Sequence, residues 1–162
     1  MRRLLDLARS EWLAVRVQIA LGLVFLVAAW PKLLEPPVFA KNVWAYDLLP
    51  GVLVNLAALF LPGLEICLGL ALVLGLWRDA AALVAAGLCI AFFLALGWNV
   101  LAGNPVNCSC FELNPSPKSC AELLAGMKRE MLLDLLLLAL AAHTLWVVRA
   151  RRREAAVATA PR

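Results

Sequence analysis

The sequence predicts an all-α integral membrane protein, a four-helix bundle with a cysteine-containing loop outside the membrane. Hydrophobic residues make up 64% of the 162-residue chain and charged residues only 16%, whereas soluble domains average about 25% charged residues. Four apolar runs are long enough to cross about 30 Å of hydrocarbon, which takes about 20 helical residues. In chain order we place them at residues 14–30, 51–76, 80–102 and 130–148. A chain of this length has room for a single membrane domain.

The first apolar run resembles a signal peptide at its start, because basic residues precede it. It ends in Trp30-Pro31-Lys32 and not in small residues that a signal peptidase would cleave, so we interpret it as a retained membrane anchor. Residues 1–13 form a basic segment. The sequence allows two structures for it, an amphipathic helix on the membrane surface or a frayed tail. We place residues 32–50 in the first outer loop.

The distribution of basic residues predicts the orientation of the bundle. Ten of the 15 lysines and arginines lie before or at the start of the first run, in the turn between the second and third runs, or in the basic tail, residues 149–162, which we expect to be disordered. The other five are Lys32, Lys41, Lys118, Lys128 and Arg129. The positive-inside rule therefore places both termini in the cytoplasm and the cysteine loop in the periplasm of a bacterial inner membrane. The net charge of +4 comes from these membrane flanks and does not indicate nucleic acid.

Three cysteines lie in the loop between the third and fourth runs. Cys108 and Cys110 are separated by one residue, and Cys120 follows in the same loop. Ser119 and Glu122 have the spacing of a capping box, which predicts a short helix with Cys120 in its first turn. A helix N-terminus favours a thiolate, so we expect Cys120 to be reactive.

Three clustered thiols indicate disulfide exchange, because any one disulfide leaves a third thiol that can attack a mixed disulfide. The exchange partner would be a thioredoxin-like or disulfide-bearing periplasmic protein. Several alternatives stay open. The loop could hold one structural disulfide, or its three cysteines could bind Cu(I), Hg(II) or Zn(II) for transport. The protein could also be a non-catalytic assembly factor for a periplasmic enzyme. Quinone is a chemically suitable electron acceptor, but no motif supports one, and the cofactor stays unassigned.

A rise of about 1.5 Å per residue predicts one polar layer inside the bundle, shared by Glu65, Cys67, Cys89 and His143. Residues two apart point to different helix faces, so Glu65 and Cys67 cannot both face one partner. Glu65 and His143 are our candidates for an intramembrane polar or proton-handling site, since carboxylates inside a membrane are costly and often functional. Alternatively, these residues have structural roles only. Glu65 would form an interhelical hydrogen bond, and the other three would simply pack in the bundle.

Two further features have structural interpretations. Asp134 lies near Arg129 at the outer end of the fourth run, which predicts a solvated ion pair. Gly63, Gly69 and Gly75 recur in the second run, which predicts close helix contact.

Five motifs together resemble the MauE family of methylamine-utilisation proteins, within the wider DoxX-like group of small four-helix membrane proteins. They are Lys32-Leu33, Tyr46-Asp47-Leu48-Leu49-Pro50, Pro62-Gly63-Leu64-Glu65, Cys108-Ser109-Cys110-Phe111 and Arg129. Glu112 stands where the family usually has glycine. The resemblance implies a periplasm-facing role in thiol or disulfide processing. Our candidate catalytic residues are Cys108, Cys110 and Cys120, and our candidate supporting residues are Lys32, Arg129 and Asp134.

Overall fold

The computed structural model describes residues 11–106 and 119–158, all of whose regular elements are helices. These are α1 (Glu11–Leu34), α2 (Pro36–Ala45), α3 (Gly51–Leu74), α4 (Arg78–Leu101) and α5 (Cys120–Ala158). Four of them, all except α2, are long and apolar enough to cross a membrane. The predicted all-α class and the predicted number of spans are confirmed.

The bundle consists of two antiparallel helix pairs. In the first pair, the Gln18 side chain of α1 donates to the Leu72 carbonyl of α3, while Lys32, further along α1, meets Glu65, earlier in α3. In the second pair, Arg152 of α5 meets Asp79 at the start of α4. The start of α1 and the end of α5 therefore lie at the same end of the bundle, where Gln18 and Arg152 line one groove.

Turn residues set the ends of α3 and α4 close to their predicted positions. Pro50 is the N-cap of α3, and Gly75 ends it in the left-handed conformation at φ 71°. Glycine is favoured there because side chains with a Cβ are strained at positive φ. Trp77, also at positive φ, then leads directly into α4.

Helix α1 is longer than predicted and continues through Pro31 to Leu34. A proline inside a helix removes one backbone hydrogen bond, and here the break comes later, at the Glu35-Pro36 junction where α2 begins. The segment predicted as an outer loop therefore contains the helix α2. Its Phe39 packs against Ala58 of α3, so α2 covers the first half of α3.

Helix α5 is longer than the predicted fourth span at both ends, with 39 residues from Cys120 to Ala158. Its first turns belong to the predicted cysteine loop, and its last turns run through the segment predicted as a disordered tail. Leucine, alanine and arginine dominate these added turns, and all three residues favour helix strongly.

The three glycines predicted to allow close helix contact have different environments. A Cβ on Gly69 would lie 2.8 Å from the backbone oxygen of Gly22 in α1, so Gly69 does permit close contact. Gly63 has no neighbour within 4 Å of that position, and Gly75 is the helix cap already described. The prediction is confirmed for Gly69 alone.

We expect Gly69→Ala to lower the free energy of unfolding by about 1–3 kcal/mol, the usual cost of overpacking. The added methyl group would press on the Gly22 backbone oxygen, which cannot move as a side chain can. Unfolding of the purified protein in detergent measures the change. Gly63→Ala is the matched control on the same helix and should be neutral or stabilising, and equal losses in both variants would contradict the close-contact interpretation.

The orientation of the bundle is a separate prediction. If both termini are cytoplasmic, a cysteine introduced at position 155 of a variant that lacks the native cysteines should resist a membrane-impermeant maleimide in intact cells and react after the membrane is opened. A cysteine introduced at Lys41 in α2, at the other end of the bundle, is the control and should react from outside. Reaction at position 155 in intact cells would reverse the topology.

Candidate functional site

A buried ion pair links α1 to α3. The Lys32 ammonium donates to both carboxylate oxygens of Glu65, at 2.6 and 2.8 Å. Lys32 is 2% exposed and Glu65 is 1% exposed. The Lys32 Nζ also lies 5.4 Å from the centre of the Phe39 ring and 5.6 Å from that of Phe92, close enough for cation–π attraction. Removing two charges from water costs several kcal/mol per ion, so such a pair inside a membrane bundle is a functional candidate by default.

Three more polar side chains adjoin this pair in a small cavity of about 30 Å³. They are Cys89 of α4 and Glu130 and Asp134 of α5. Asp134 is 8% exposed, and its Oδ2 atom has no hydrogen-bond partner among the described residues. A cavity of that size has room for a water molecule. The site therefore brings one ammonium, three carboxyl groups and a thiol together between α1, α3, α4 and α5.

Two predicted positions are wrong. Lys32 was predicted in the first outer loop, but it lies inside the bundle because α1 continues past Pro31. Asp134 was predicted to form a solvated ion pair with Arg129, but it is buried and faces the Lys32 cavity. Arg129 is mostly exposed and lies 3.9 Å from Glu130 instead. The face of α5 that packs on α4 decides which acidic residues of α5 point inward. The local sequence pattern does not show which face this is.

The predicted polar layer is correct in part. Glu65 and Cys89 line the same cavity, while Cys67 is exposed on the outside of α3, as expected for a residue two positions from Glu65. His143 lies on a different part of α5, with its ring centre 6.3 Å from that of Trp146, and it does not line the cavity. On α5, Asp134 therefore lines the cavity and His143 does not, contrary to what the rise per residue predicted.

A larger cavity of about 290 Å³ lies on another side of Lys32, between α2, α3 and α4. Its lining is mostly apolar and includes the rings of Phe39 and Phe92. Asn42 and Tyr46 of the α2 segment add polar groups to the wall. Lys32 thus borders both a larger apolar cavity and the small cavity that holds the buried carboxyl groups.

Two asparagines tie the α2 segment to the start of the cysteine loop. Asn99, buried near the end of α4, donates to the Tyr46 carbonyl at 3.3 Å. Asn104, at the base of the loop, donates to the Asn99 side-chain oxygen at 3.0 Å and to the Ala45 carbonyl at 3.3 Å. Our sequence reasoning missed Asn99, although an amide inside an apolar run is itself a signal for a buried hydrogen bond.

The predicted capping box at the other end of the loop is confirmed. The Ser119 backbone N–H donates to a Glu122 carboxylate oxygen at 2.7 Å, and the Glu122 backbone N–H donates to the Ser119 hydroxyl at 3.3 Å. Cys120 is the first residue of α5 and is exposed. The predicted positions Cys108 and Cys110 lie outside the described residues. Within the described part of the chain, no group of three or more His, Cys, Asp or Glu side chains is arranged to hold a metal ion.

Comparison with known proteins identifies the family. The model of the family described as "Methylamine utilisation protein MauE" matches residues 10–148. The methylamine utilization protein MauE of Methylophilus methylotrophus is 36% identical over 106 residues, which are 65% of this chain and 56% of that protein. The MauE protein of Paracoccus denitrificans is 35% identical over 97 residues, 59% of this chain and 52% of that protein.

The matched segments thus span about half the length of these curated relatives. No solved structure matches the chain. Because the family model covers most of the chain, including all four helices long enough to cross a membrane, the chain belongs to the MauE family of methylamine utilisation proteins.

Proposed function

We propose that this protein is a bacterial inner-membrane thiol–disulfide exchange protein that uses Cys108, Cys110 and Cys120 at its periplasmic end. The observation that carries the proposal is the position of Cys120, exposed at the first residue of α5 and held there by the Ser119–Glu122 capping box. A thiolate at a helix N-terminus is stabilised by the helix dipole and is a good nucleophile. Cys120 is therefore the attacking thiol in this proposal, and Cys108 or Cys110 resolves the mixed disulfide.

The anchoring of both loop ends supports the proposal. Asn99 and Asn104 fix the segment before Cys108, and the buried Val106 packs in one cluster with Leu96 and Met127. Leu124, one turn after Cys120, contacts the same cluster. Val106 and Leu124 therefore meet at one cluster, and in this proposal Cys120 exchanges with Cys108 or Cys110, which lie between them in the sequence.

Membership in the MauE family supports a periplasmic client. The relatives are described as methylamine utilisation proteins, and we infer that the client is a disulfide-bearing periplasmic enzyme or a thioredoxin-like carrier that serves it. The four-helix architecture is also in keeping with a place in the DoxX-like group. A non-catalytic assembly factor would share the fold and the family but would not need reactive thiols.

Counting thiols tests the redox assignment. The chain has five cysteines. Under denaturing conditions, we expect protein isolated from air-oxidised membranes to bind two fewer maleimides than dithiothreitol-reduced protein. Cys108→Ser/Cys110→Ser protein is the control and should show no difference. If the wild type also shows none, and copper, zinc or mercury is present in equal molar amount after anaerobic purification, the metal-binding alternative holds.

A further inference from the structure

Oxidising a pair of thiols releases two electrons and two protons, so the proposed function needs an acceptor that takes both. We propose that the apolar cavity between α2, α3 and α4 binds the ring of a membrane-soluble quinone, with the Lys32 ammonium donating to a quinone carbonyl oxygen. This inference rests on the proposed function. In the reaction, two cysteine sulfurs form an S–S bond and lose two electrons and two protons, and the quinone takes up both to become the quinol.

The size and lining of the cavity suit such a ring. Its volume of about 290 Å³ is at the lower end of the range for small-molecule sites, about 300–1,000 Å³. Phe39 and Phe92 supply flat apolar walls, and aromatic rings stack well in offset arrangements. Lys32 also lines the cavity, and an acyl chain would offer its ammonium no hydrogen-bond acceptor.

Lys32 has a hydrogen-bond donor for the ligand. An ammonium group has three N–H donors, and two of them go to the Glu65 carboxylate. Among the described residues, no acceptor takes the third. A carbonyl oxygen is an acceptor that carries no net charge, so it can bind this donor without upsetting the charge balance of the Lys32–Glu65 pair.

The cavity is accessible from the membrane, and its wall includes a residue that packs beside the described residues flanking the cysteine segment. Ala91, in the middle of α4, lines the cavity and is exposed on the outside of the bundle, so the opening faces the region that lipid tails would occupy. At the other end, Tyr46 lines the cavity and packs against the cluster that contains Val106 and Leu124. These two residues flank the segment that carries Cys108 and Cys110.

Proton uptake also has a structural basis. The cavity on the opposite side of Lys32 brings together Glu65, Asp134 and Glu130. Carboxyl groups exchange protons, and the space between them has room for a water molecule to bridge them. Lys32 borders both cavities, which places the quinone carbonyl next to groups that can supply the protons that reduction requires.

Binding of decylubiquinone to the full-length protein in detergent tests the site. The quenching of tryptophan fluorescence measures this binding. We expect saturable binding that Ala95→Phe weakens about tenfold or more, because the new ring fills the cavity from α4. Ala57→Phe fills it from α3 and serves if the first variant does not fold. Ala142→Phe, at an exposed position of α5 outside the cavity lining, is the matched control and should bind as the wild type does.

Several outcomes would overturn the inference. Binding that does not saturate, or that Ala95→Phe and Ala57→Phe leave unchanged, would show partitioning into the micelle. Equal competition by decanol would show an acyl-chain site. Thiol exchange is measured separately, by mixed-disulfide formation without quinone. If exchange occurs and quinone binding fails, only the proposed quinone site is wrong. Quinone binding without any thiol exchange would support the quinone site and contradict the proposed function.

Discussion

Glu65→Leu is expected to lower the free energy of unfolding by about 3–5 kcal/mol, because it removes the carboxylate that is hydrogen-bonded to the buried Lys32 ammonium. Lys32 is 2% exposed, and among the described residues both of its hydrogen-bond acceptors are Glu65 oxygens. Its remaining neighbours include the two phenylalanine rings, which compensate the charge only weakly. Unfolding of the purified protein by sodium dodecyl sulfate in mixed micelles, followed by tryptophan fluorescence, measures the loss.

Glu65→Gln should cost less, because an amide oxygen still accepts one hydrogen bond from Lys32. The double variant Lys32→Met/Glu65→Leu should recover most of the stability, since replacing a whole buried ion pair with apolar side chains is often neutral or stabilising. Cys67→Leu, two positions away on the exposed face of α3, is the control for a local change of side chain. If the stability loss of the double variant equals the sum of the losses of Lys32→Met and Glu65→Leu, the two side chains are not coupled and the ion-pair interpretation fails.

The same variants separate a structural role from a functional one. If Glu65→Gln folds normally and forms mixed disulfides but cannot complete repeated thiol oxidation, then the charge of Glu65 is needed for turnover. That result would connect the buried pair with the handling of protons or of the acceptor. If the variant turns over as the wild type does, the pair serves mainly to hold α1 against α3.

Sequence reasoning predicted best those features that depend on neighbouring residues. The number of spans follows from apolar runs of sufficient length, and α3 begins at the predicted residue, Gly51, directly after Pro50. The Ser119–Glu122 capping box involves residues three apart and was predicted correctly. Helix α1 was predicted too short because Pro31 suggested a boundary, although one missing backbone hydrogen bond does not end a helix that is packed along its length.

The buried site was harder to predict because its members come from four helices. Glu65 was recognised as a functional candidate, since a carboxylate in an apolar run is unusual. Its partner is 33 residues away and adjoins a proline, a sequence context typical of a loop. Asp134 and His143 both lie on α5, and only the packing of that helix decides that Asp134 faces the cavity. Register between helices is a tertiary property, which a rise per residue alone does not determine.

The loop cysteines should differ in what their removal does to covalent intermediates. Cys120→Ser is expected to abolish mixed disulfides with the proposed periplasmic partner, because Cys120 is the attacking thiol in the proposed function. Replacing the resolving cysteine, Cys108 or Cys110, should have the opposite effect and trap a stable covalent complex, since nothing then releases the partner. Non-reducing gels of cells that carry each single variant, with mass spectrometry of any new band, measure both effects.

Cys67 and Cys89 are internal controls for this experiment. Cys67 lies on the outside of α3, and Cys89 is 2% exposed inside the bundle, so neither is expected to take part in exchange at the loop. Cys67→Ser and Cys89→Ser should therefore give the same pattern of adducts as the wild type.

The position of Cys120 is the reason for the expected difference between its variant, which should lose adducts, and the variant of the resolving cysteine, which should trap them. Cys120 occupies the first residue of a 39-residue helix and is exposed, so a partner's disulfide can reach it. A structural disulfide would not produce this asymmetry, because loss of either partner would free one thiol and leave no resolving step to block. A metal site would lose its metal in each of the three variants and trap no protein. If no loop variant traps a partner and all three retain function, thiol exchange is excluded, and a membrane assembly factor becomes the better description of this MauE protein.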